Sequence, residues 1–460
     1  MKGLFSELLE ANILKLKKHR YKFSYTQLIA FSFLVVILVG ALLLTLPISS
    51  RTHEWTPFVD ALFTSTSATC VTGLIVYDTY THWSLFGQLV LLLLIQIGGL
   101  GFMTIMCFFA MVTKHHMSLH QRKLIMQAAG HVQLSGVITF VRKILIGTFL
   151  FEGIGTILLA IRFCPKMGFW EGLYNAVFHS VSAFCNAGFD LMGKYEEFSS
   201  LTLFRSDALV QGVIMALIII GGIGFFVWSD VLRWGFHWKK YALHTKMVIS
   251  MTLFLILGGW IAVFFLEYNG ALADLSLGDK ILASLFQSVS TRTAGMNTID
   301  QGAMRGGLVL SVVLMLIGGS PGSTAGGIKT TTVLVALLSS LATIRGKKSA
   351  TIFKKRISDD AVKQACSIVS IYMCLLIFAA IMIVSLEAVT FSEAVFEVAS
   401  AIGTVGLSTG ITPNVGLVSK TVLALLMFVG RIGGYSFVLV FATEKANPDM
   451  ERPVEKVLVG

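Results

Sequence analysis

Four short polar stretches, each ending in glycine, contain the residues of this sequence that could bind a ligand. They offer backbone carbonyls, hydroxyls and small side chains but no carboxylate. Such oxygen atoms can replace the hydration shell of a cation, so we expect the stretches to bind one. The candidate residues are Thr69, Cys70, Val71, Thr72 and Gly73; Cys185, Asn186, Ala187 and Gly188; Thr293, Ala294 and Gly295; and Gly403, Thr404, Val405 and Gly406.

The spacing of the four stretches indicates an internal repeat. Their closing glycines follow one another at intervals of 115, 107 and 111 residues, which predicts one unit used four times around an axis. Polar backbone at membrane depth is tolerated only where it is buried or lines a cavity. We therefore predict a hydrated pore, narrowest at the glycines. The alternative is that small residues merely allow close helix packing, and the fourfold recurrence favours the pore.

The composition predicts an integral membrane protein. Of 460 residues, 55% are hydrophobic and 13% charged, against roughly 25% charged in a soluble domain. The net charge of +11 comes from basic clusters between apolar spans, where cytoplasmic loops are expected, and this pattern excludes nucleic-acid binding. The six cysteines lack the spacing of a disulfide framework and are expected to be reduced. The first apolar span is too long for a cleavable signal peptide.

The order of apolar spans predicts an all-α protein with eight transmembrane helices in four helix–pore-helix–helix repeats around a central pore. In each repeat a half-helix enters from outside and leads into the polar stretch. Basic clusters place both termini in the cytoplasm. The predicted segments are an N-terminal segment 1–22, repeats 23–113, 135–235, 244–344 and 362–443, and a tail 444–460. The predicted spans lie near 23–50, 83–112, 137–163, 207–229, 247–266, 306–344, 364–387 and 417–442.

The last span of the third repeat is interrupted by a glycine-rich segment. Five glycines and a proline within ten residues cannot continue a helix, yet apolar runs flank the segment. We predict a loop below the filter that acts as a gate, the alternative being a static break. At the corresponding position, the other three repeats have only a Gly-Gly or a Gly-Arg pair. The gate residues are Gly318, Gly319, Ser320, Pro321, Gly322, Ser323, Thr324, Ala325, Gly326, Gly327 and Lys329.

Two arginines lie where the pattern expects apolar or small residues. Arg431 replaces a glycine within an apolar span, and an intramembrane charge indicates a functional site. We expect Arg431 to donate hydrogen bonds to carbonyls of the loop 318–327 and to stabilise a closed state. Arg292 lies inside the third stretch, where a cation facing the pore would repel the substrate. We expect it to point away, toward Glu397 or Asp300.

The remaining charged and metal-binding candidates are expected to be structural. Glu152 lies within an apolar span and is expected to pair with Arg142 or Lys143. Histidines of the basic loop 114–131 include one helical i, i+4 pair but lack a nearby carboxylate. We therefore expect no transition-metal site.

These features resemble the Trk/Ktr/HKT superfamily of potassium transporters over residues 24–442. The most specific parts are the four closing glycines, the broken span Gly318–Lys329 and Arg431. Thr69–Gly73 also looks like a degenerate potassium-channel filter sequence. With eight predicted spans and no additional N-terminal pair, the chain is most similar to the KtrB type of subunit.

The resemblance implies a function and partners that the residues alone do not give. It implies K+ uptake across the bacterial plasma membrane, favoured over Na+ by glycine at all four closing positions, and commonly dependent on Na+. It further implies a homodimer with one pore per subunit, assembled on a cytosolic ring of KtrA-like, nucleotide-binding RCK subunits. No covalently bound cofactor is expected, and the chain lacks a dinucleotide-binding fingerprint of its own.

Two other classes of protein can be weighed against this prediction. A secondary transporter of another cation or small solute would also have broken helices, but usually inverted repeats and a titratable group at the site. An enzyme would need a nucleophile–base pair, a metal cluster or a phosphate loop. Gly322–Lys329 resembles a phosphate loop only loosely, because no strand precedes it. We therefore do not expect an enzyme.

Overall fold

The computed structural model describes residues 25–101, 137–433 and 437. The predicted N-terminal segment 1–22, the histidine-bearing loop 114–131 and the tail 444–460 lie outside the described residues. Regular structure in the described part is almost entirely helical. A single hairpin pairs β1 (Thr351–Ile352) antiparallel with β2 (Lys355–Arg356).

Fourteen α-helices follow one another in the described residues, in an order that repeats four times. A long helix is followed by a short one and then by a third helix, which in two repeats is accompanied by a second piece. The helices are α1 (Tyr25–Thr45), α2 (Phe58–Cys70), α3 (Leu85–Leu100), α4 (Val137–Met167), α5 (Phe169–Cys185), α6 (Ala208–Gly222), α7 (Phe225–Trp234), α8 (Leu243–Glu267), α9 (Leu277–Ser290), α10 (Gly306–Leu316), α11 (Thr330–Ile344), α12 (Asp359–Leu386), α13 (Phe391–Gly403) and α14 (Leu417–Ile432). Short 3-10 turns lie at Pro47–Ser49, Met192–Lys194, Thr202–Phe204, Trp238–Lys240 and Thr412–Asn414.

Length and apolar composition make this a multi-pass membrane protein. Within the described residues, four helices are long and apolar enough to cross a bilayer, and the bent pair α6–α7 could provide a fifth crossing. The short helices α2, α5, α9 and α13 have 13 to 17 residues. At 1.5 Å per residue they fall short of a hydrocarbon core of about 30 Å.

The helix breaks differ in part from the sequence prediction. The break in the third repeat is confirmed, because α10 ends at Leu316 and α11 begins at Thr330. A continuous span over 207–229 is wrong, because α6 and α7 meet at an angle of 96°. Gly224 has a φ of +100°, and an added Cβ there would lie 2.8 Å from the carbonyl oxygen of Pro321. The second repeat therefore bends where the third-repeat loop packs against it.

The third helices of the first and fourth repeats also end at glycine. Helix α3 stops before Gly101, with a φ of +80°, and α14 stops before Gly433, with a φ of +93°. These ends come earlier than the predicted span limits of 112 and 442, and the residues immediately beyond lie outside the described part.

Each long helix of the first three repeats packs closely on the short helix that follows it. A serine hydroxyl of the short helix donates to a carbonyl of the long helix, and a glycine one turn along allows the approach. The three bonds are Ser65 to Ile37 (2.7 Å) beside Gly40, Ser180 to Glu152 (2.7 Å) beside Gly155, and Ser288 to Ile256 (2.8 Å) beside Gly259.

We predict that Gly155→Ala lowers the midpoint of thermal unfolding in detergent, measured by loss of monodisperse protein. The new Cβ would lie 2.5 Å from the Ser180 hydroxyl and 2.7 Å from Leu217, and such overpacking costs about 1–3 kcal/mol. Gly153→Ala on the same helix is the matched control, because its Cβ would meet no atom within 4 Å. Equal midpoints for both variants would contradict the packing argument.

Candidate functional site

The four polar stretches share one backbone conformation. In each, a non-glycine residue in the left-handed region is followed two residues later by the closing glycine, also with positive φ. This pair of unusual conformations turns the chain out of the short helix, and only glycine adopts the second without strain. The pairs, with their φ values, are Val71 (60°) and Gly73 (97°), Asn186 (60°) and Gly188 (73°), Thr293 (70°) and Gly295 (73°), and Thr404 (51°) and Gly406 (96°).

The closing glycines Gly73, Gly188, Gly295 and Gly406 meet in a ring, which we call the glycine ring. An added Cβ at Gly73 would lie 2.6 Å from the carbonyl oxygen of Ala187, and one at Gly188 would lie 3.0 Å from that of Ala294. At Gly295 it would collide with the carbonyl of Val405, and at Gly406 with that of Thr72. Each closing glycine therefore packs against the stretch of the next repeat, and Gly406 of the fourth repeat packs against the first stretch, which closes the ring.

Hydroxyl oxygens in the stretches lack partners within the described structure. The Oγ1 atoms of Thr69, Thr72 and Thr404 are buried, and no hydrogen-bond partner for them is found among the described residues. A buried hydroxyl without a protein partner is free to bond to an ion or a water. Backbone carbonyls that converge on one ring are suited to bind a dehydrated cation.

The short helices direct their C-terminal ends at the glycine ring. The exposed carbonyls at a helix C-terminus carry the negative end of the macrodipole, which favours a cation. No group of three or more histidine, cysteine or acidic side chains suited to a metal occurs among the residues whose structure is described. Backbone and hydroxyl oxygens are the ligands that a hard cation prefers, so the stretches are a candidate site for one.

A serine in each short helix fixes the stretch that follows it. The Oγ of Ser67 accepts from the amide of Gly73, and that of Ser400 accepts from the amide of Gly406, both at 3.0 Å. Ser182 donates to the carbonyl of Phe189 at 2.6 Å, and Ser290 donates to that of Met296. Sequence reasoning missed these roles, although a serine recurs at nearly the same distance before all four glycines.

The glycine-rich loop 317–329 touches three of the four stretches. An added Cβ at Gly318 would lie 3.2 Å from the side chain of Thr293, and one at Gly327 would lie 3.0 Å from the carbonyl of Gly403. The Thr324 hydroxyl lies 3.2 Å from both the Phe184 carbonyl and the Asn186 amide oxygen.

The same loop is tied to the end of α6. The amides of Ser320 and Thr324 donate to the carbonyls of Gly222 and Gly221 at 3.0 and 3.3 Å. The loop thereby satisfies carbonyls that a helix end leaves unpaired.

Arg431 connects three repeats at this level. Its guanidinium donates to the carbonyl of Thr324, as expected, and also to the carbonyls of Gly98 and Gly99, the latter at 3.2 Å. The contact with the first repeat was not foreseen. It places the cation at the C-terminal end of α3, where the macrodipole favours positive charge.

Lys329 lies within the loop rather than on the glycine ring. Its ammonium donates to the carbonyls of Ala325 at 2.6 Å and of Gly326 at 3.3 Å. The lysine thus closes the loop on itself.

The predicted carboxylate partners of Arg292 are wrong. Arg292 is buried and its Nη2 lies 3.5 Å from the hydroxyl of Thr252 on α8; none of the ion pairs in the described residues includes it. Asp300 instead accepts from its local turn at Gly302. Glu397 instead accepts from Ser408, Thr409 and Thr412 in the loop after the fourth stretch.

The predicted pairing of Glu152 with Arg142 or Lys143 is also wrong. Along a helix these residues lie nine and ten positions away, which corresponds to about 14–15 Å at 1.5 Å per residue. Glu152 accepts instead from the side-chain amide of Gln96 on α3 at 3.2 Å.

The chain is similar to known cation transport proteins along nearly its whole length. Residues 4–451 match the TrkH family, described as a cation transport protein. The potassium/sodium uptake protein NtpJ of Enterococcus hirae is 39% identical over 452 residues, covering 96% of this chain and 99% of that protein. The Ktr system potassium uptake protein B of Bacillus subtilis is 42% identical over 439 residues, covering 94% and 96%.

A solved structure shares the fold. The potassium transporter TrkH from Vibrio parahaemolyticus superposes with a TM-score of 0.69, covering 92% of this chain and 86% of that one at 20% identity. At this identity the likeness concerns the fold alone.

We predict that Ser67→Ala lowers the thermal unfolding midpoint in detergent. The substitution leaves the Gly73 amide without its acceptor, and an unpaired buried amide costs about 1–3 kcal/mol. Ser367→Ala serves as control, because that exposed hydroxyl bonds only to its own helix, at the carbonyl of Lys363. A Ser67→Ala midpoint no lower than that of the control would show that the serine does not support the stretch.

Proposed function

Because the chain belongs to the TrkH family of cation transport proteins, we propose that it is the pore-forming membrane subunit of a potassium uptake system. Membership of a transport family also confirms the prediction that the chain is not an enzyme. The observation that carries the proposal is the glycine ring, where four stretches converge with carbonyls and unpartnered hydroxyls.

We infer that each predicted repeat contributes two transmembrane helices and a re-entrant half-helix. Support comes from the order of a long helix, a short helix and a third helix in the described parts of 23–113, 135–235, 244–344 and 362–443. The basic clusters place both termini in the cytoplasm of a bacterial cell, under the positive-inside rule.

The four polar stretches would act as the selectivity filter. A dehydrated ion is held there by carbonyl and hydroxyl oxygen, and the number and field strength of these oxygens determine which ion is preferred. The names of the relatives in E. hirae and B. subtilis give potassium, and the former also sodium, as the ion taken up. We propose K+ as the transported ion, with uptake dependent on Na+.

The loop 317–329 and Arg431 would form the gate. The loop contacts the stretches directly, and the guanidinium holds it to the first repeat. A positive charge at this level opposes cation passage, so the arrangement is suited to a closed pore.

We propose that a cytosolic ring of nucleotide-binding RCK subunits controls this gate in a homodimer. The relative in B. subtilis is named as protein B of a Ktr system, which implies further components there. The alternative function, secondary transport of another cation or small solute, draws support from the intramembrane carboxyl of Glu152.

The proposal predicts that this chain restores K+ uptake to bacterial cells lacking their own potassium uptake systems, more strongly when an RCK partner is co-expressed. Gly73→Ser should reduce the preference for K+ over Na+ by about tenfold, because the new side chain crowds the Ala187 carbonyl. Initial uptake rates of K+ and Na+ are the measurement.

Gly410→Ser is the matched control for backbone strain. Its φ of +96° is almost that of Gly73, but it is exposed and its added Cβ meets no atom within 4 Å. A membrane-inserted chain that moves no K+ with any partner would refute the proposal and favour transport of another solute. Equal selectivity in the two variants would refute the filter assignment.

Arg431→Ala should raise the K+ uptake rate by about tenfold, because a hydrogen bond from a charged group contributes about 1.5–3 kcal/mol to the closed state. Arg162→Ala, which removes a half-exposed arginine paired with Asp207, is the control. Unchanged or lower flux in a well-folded Arg431→Ala protein would count against this gate.

A further inference from the structure

A polar cluster lies directly behind the second stretch. The side-chain amide of Gln96 on α3 donates to one carboxyl oxygen of Glu152 on α4 at 3.2 Å. The thiol of Cys185, the last residue of α5, lies 3.6 Å from the Gln96 amide oxygen and 3.9 Å from the other Glu152 oxygen. Three side chains from three helices therefore form a closed set of contacts.

The internal repeat shows that this cluster is a departure from the pattern. The Glu152 backbone carbonyl accepts from Ser180, and the equivalent carbonyls in the first and third repeats accept from the equivalent serines. These equivalent bonds show which residues of the long helices correspond to one another. The residues that correspond to Glu152 are Ile37 and Ile256. Gln96 stands two residues before a recurring glycine, and the other repeats have Ile219, Leu316 and Phe428 at that place.

The surroundings make these polar side chains costly. Glu152 is 5% exposed and forms no ion pair with any described residue. It lies at a cavity of about 460 Å³ between α3, α4 and α5 that is lined mainly by apolar side chains. Leu93 and Phe149 at this cavity are 60% and 57% exposed on what would be the lipid-facing surface. An ionisable group in such a place indicates a function rather than packing.

The cluster is connected to both the second stretch and the loop 317–329. Cys185 precedes Asn186, whose side-chain amide donates to the hydroxyl of Thr293 at 3.2 Å and accepts from that of Thr324 at 3.2 Å. The thiol also packs on α3, since an added Cβ at Gly99 would lie 2.6 Å from it. A shift of Cys185 would move the second stretch relative to the third.

We propose that Glu152 and Gln96 are positioning residues that hold the second stretch through Cys185 and thereby set the preference for K+ over Na+. The inference rests on the proposed function, because it assigns selectivity to the glycine ring. Neither side chain touches the transported ion. Both act through the backbone that follows Cys185, because the positions and dipoles of the carbonyls determine which cation is preferred.

The test replaces each residue by an apolar one found at the same place in another repeat. Glu152→Ile and Gln96→Leu should each lower the ratio of K+ to Na+ uptake by about threefold, a small free-energy change. The double variant should lower it no further, because the two residues act as one unit. Glu152→Gln keeps the shape and one oxygen that accepts from the Gln96 amide, so it should keep the wild-type ratio.

Thr156→Val is the control at the same cavity. Its hydroxyl donates only to the Glu152 backbone carbonyl of its own helix, at 2.8 Å, so its loss should leave the ratio unchanged. Purified protein of each variant is compared by elution profile, so that the ratio is scored only on folded protein. If Glu152→Ile fails to fold, Gln96→Leu carries the test.

Two outcomes would overturn the inference. One is an unchanged ratio in folded Glu152→Ile or Gln96→Leu, and the other is additive effects in the double variant. Failure of the proposed function would look different, since the wild-type chain would then show no preference for K+. A wild-type chain that selects K+ alongside variants that do so equally would refute this inference alone.

Discussion

The structure depends on keeping non-helical backbone inside a membrane protein without leaving its polar groups unpaired. In hydrocarbon each unsatisfied amide or carbonyl costs several kcal/mol, so only helices and protected cavities are tolerated. The four stretches pack against one another around the glycine ring, and a serine hydroxyl of each short helix bonds to the backbone of its own stretch or of the residue just beyond it. A single stretch taken alone could not satisfy the constraint. The fourfold repeat therefore gives each stretch the protein surroundings that shield it from lipid.

Around this near-symmetric ring the supporting contacts are unequal. The loop 317–329 belongs to the third repeat, is tied to the second through the carbonyls of Gly221 and Gly222, and is held by Arg431 of the fourth. Among the residues that the structure describes, a polar cluster like that of Gln96, Glu152 and Cys185 occurs only between the first and second repeats. Because these supporting contacts differ from repeat to repeat, one of them, such as the loop 317–329, could move while the glycine ring keeps its shape.

The sequence predicts where the four stretches and the interruption in the third repeat lie, but it does not predict the side-chain partners. The stretches and the interruption in the third repeat can be predicted locally, because glycine and proline determine the backbone conformation at their own positions. The bend at Gly224 depends on a close approach to Pro321, which no local pattern reveals. The predicted partners of Glu152 were chosen by nearness along the chain. Its actual partner, Gln96, is 56 residues away and meets it only through helix packing.

The loop 317–329 is held mostly by bonds to backbone rather than by apolar burial. Its amides donate hydrogen bonds to carbonyls at the end of α6, and the Lys329 ammonium donates to carbonyls of the loop itself. Bonds of this kind can be exchanged for bonds to water with a small net change in free energy. Arg431 is the charged residue that also reaches carbonyls of the first repeat. Displacing one guanidinium would therefore release the loop from α3 while its local bonds remain, which is the behaviour expected of a gate that opens by moving a segment rather than by unfolding it.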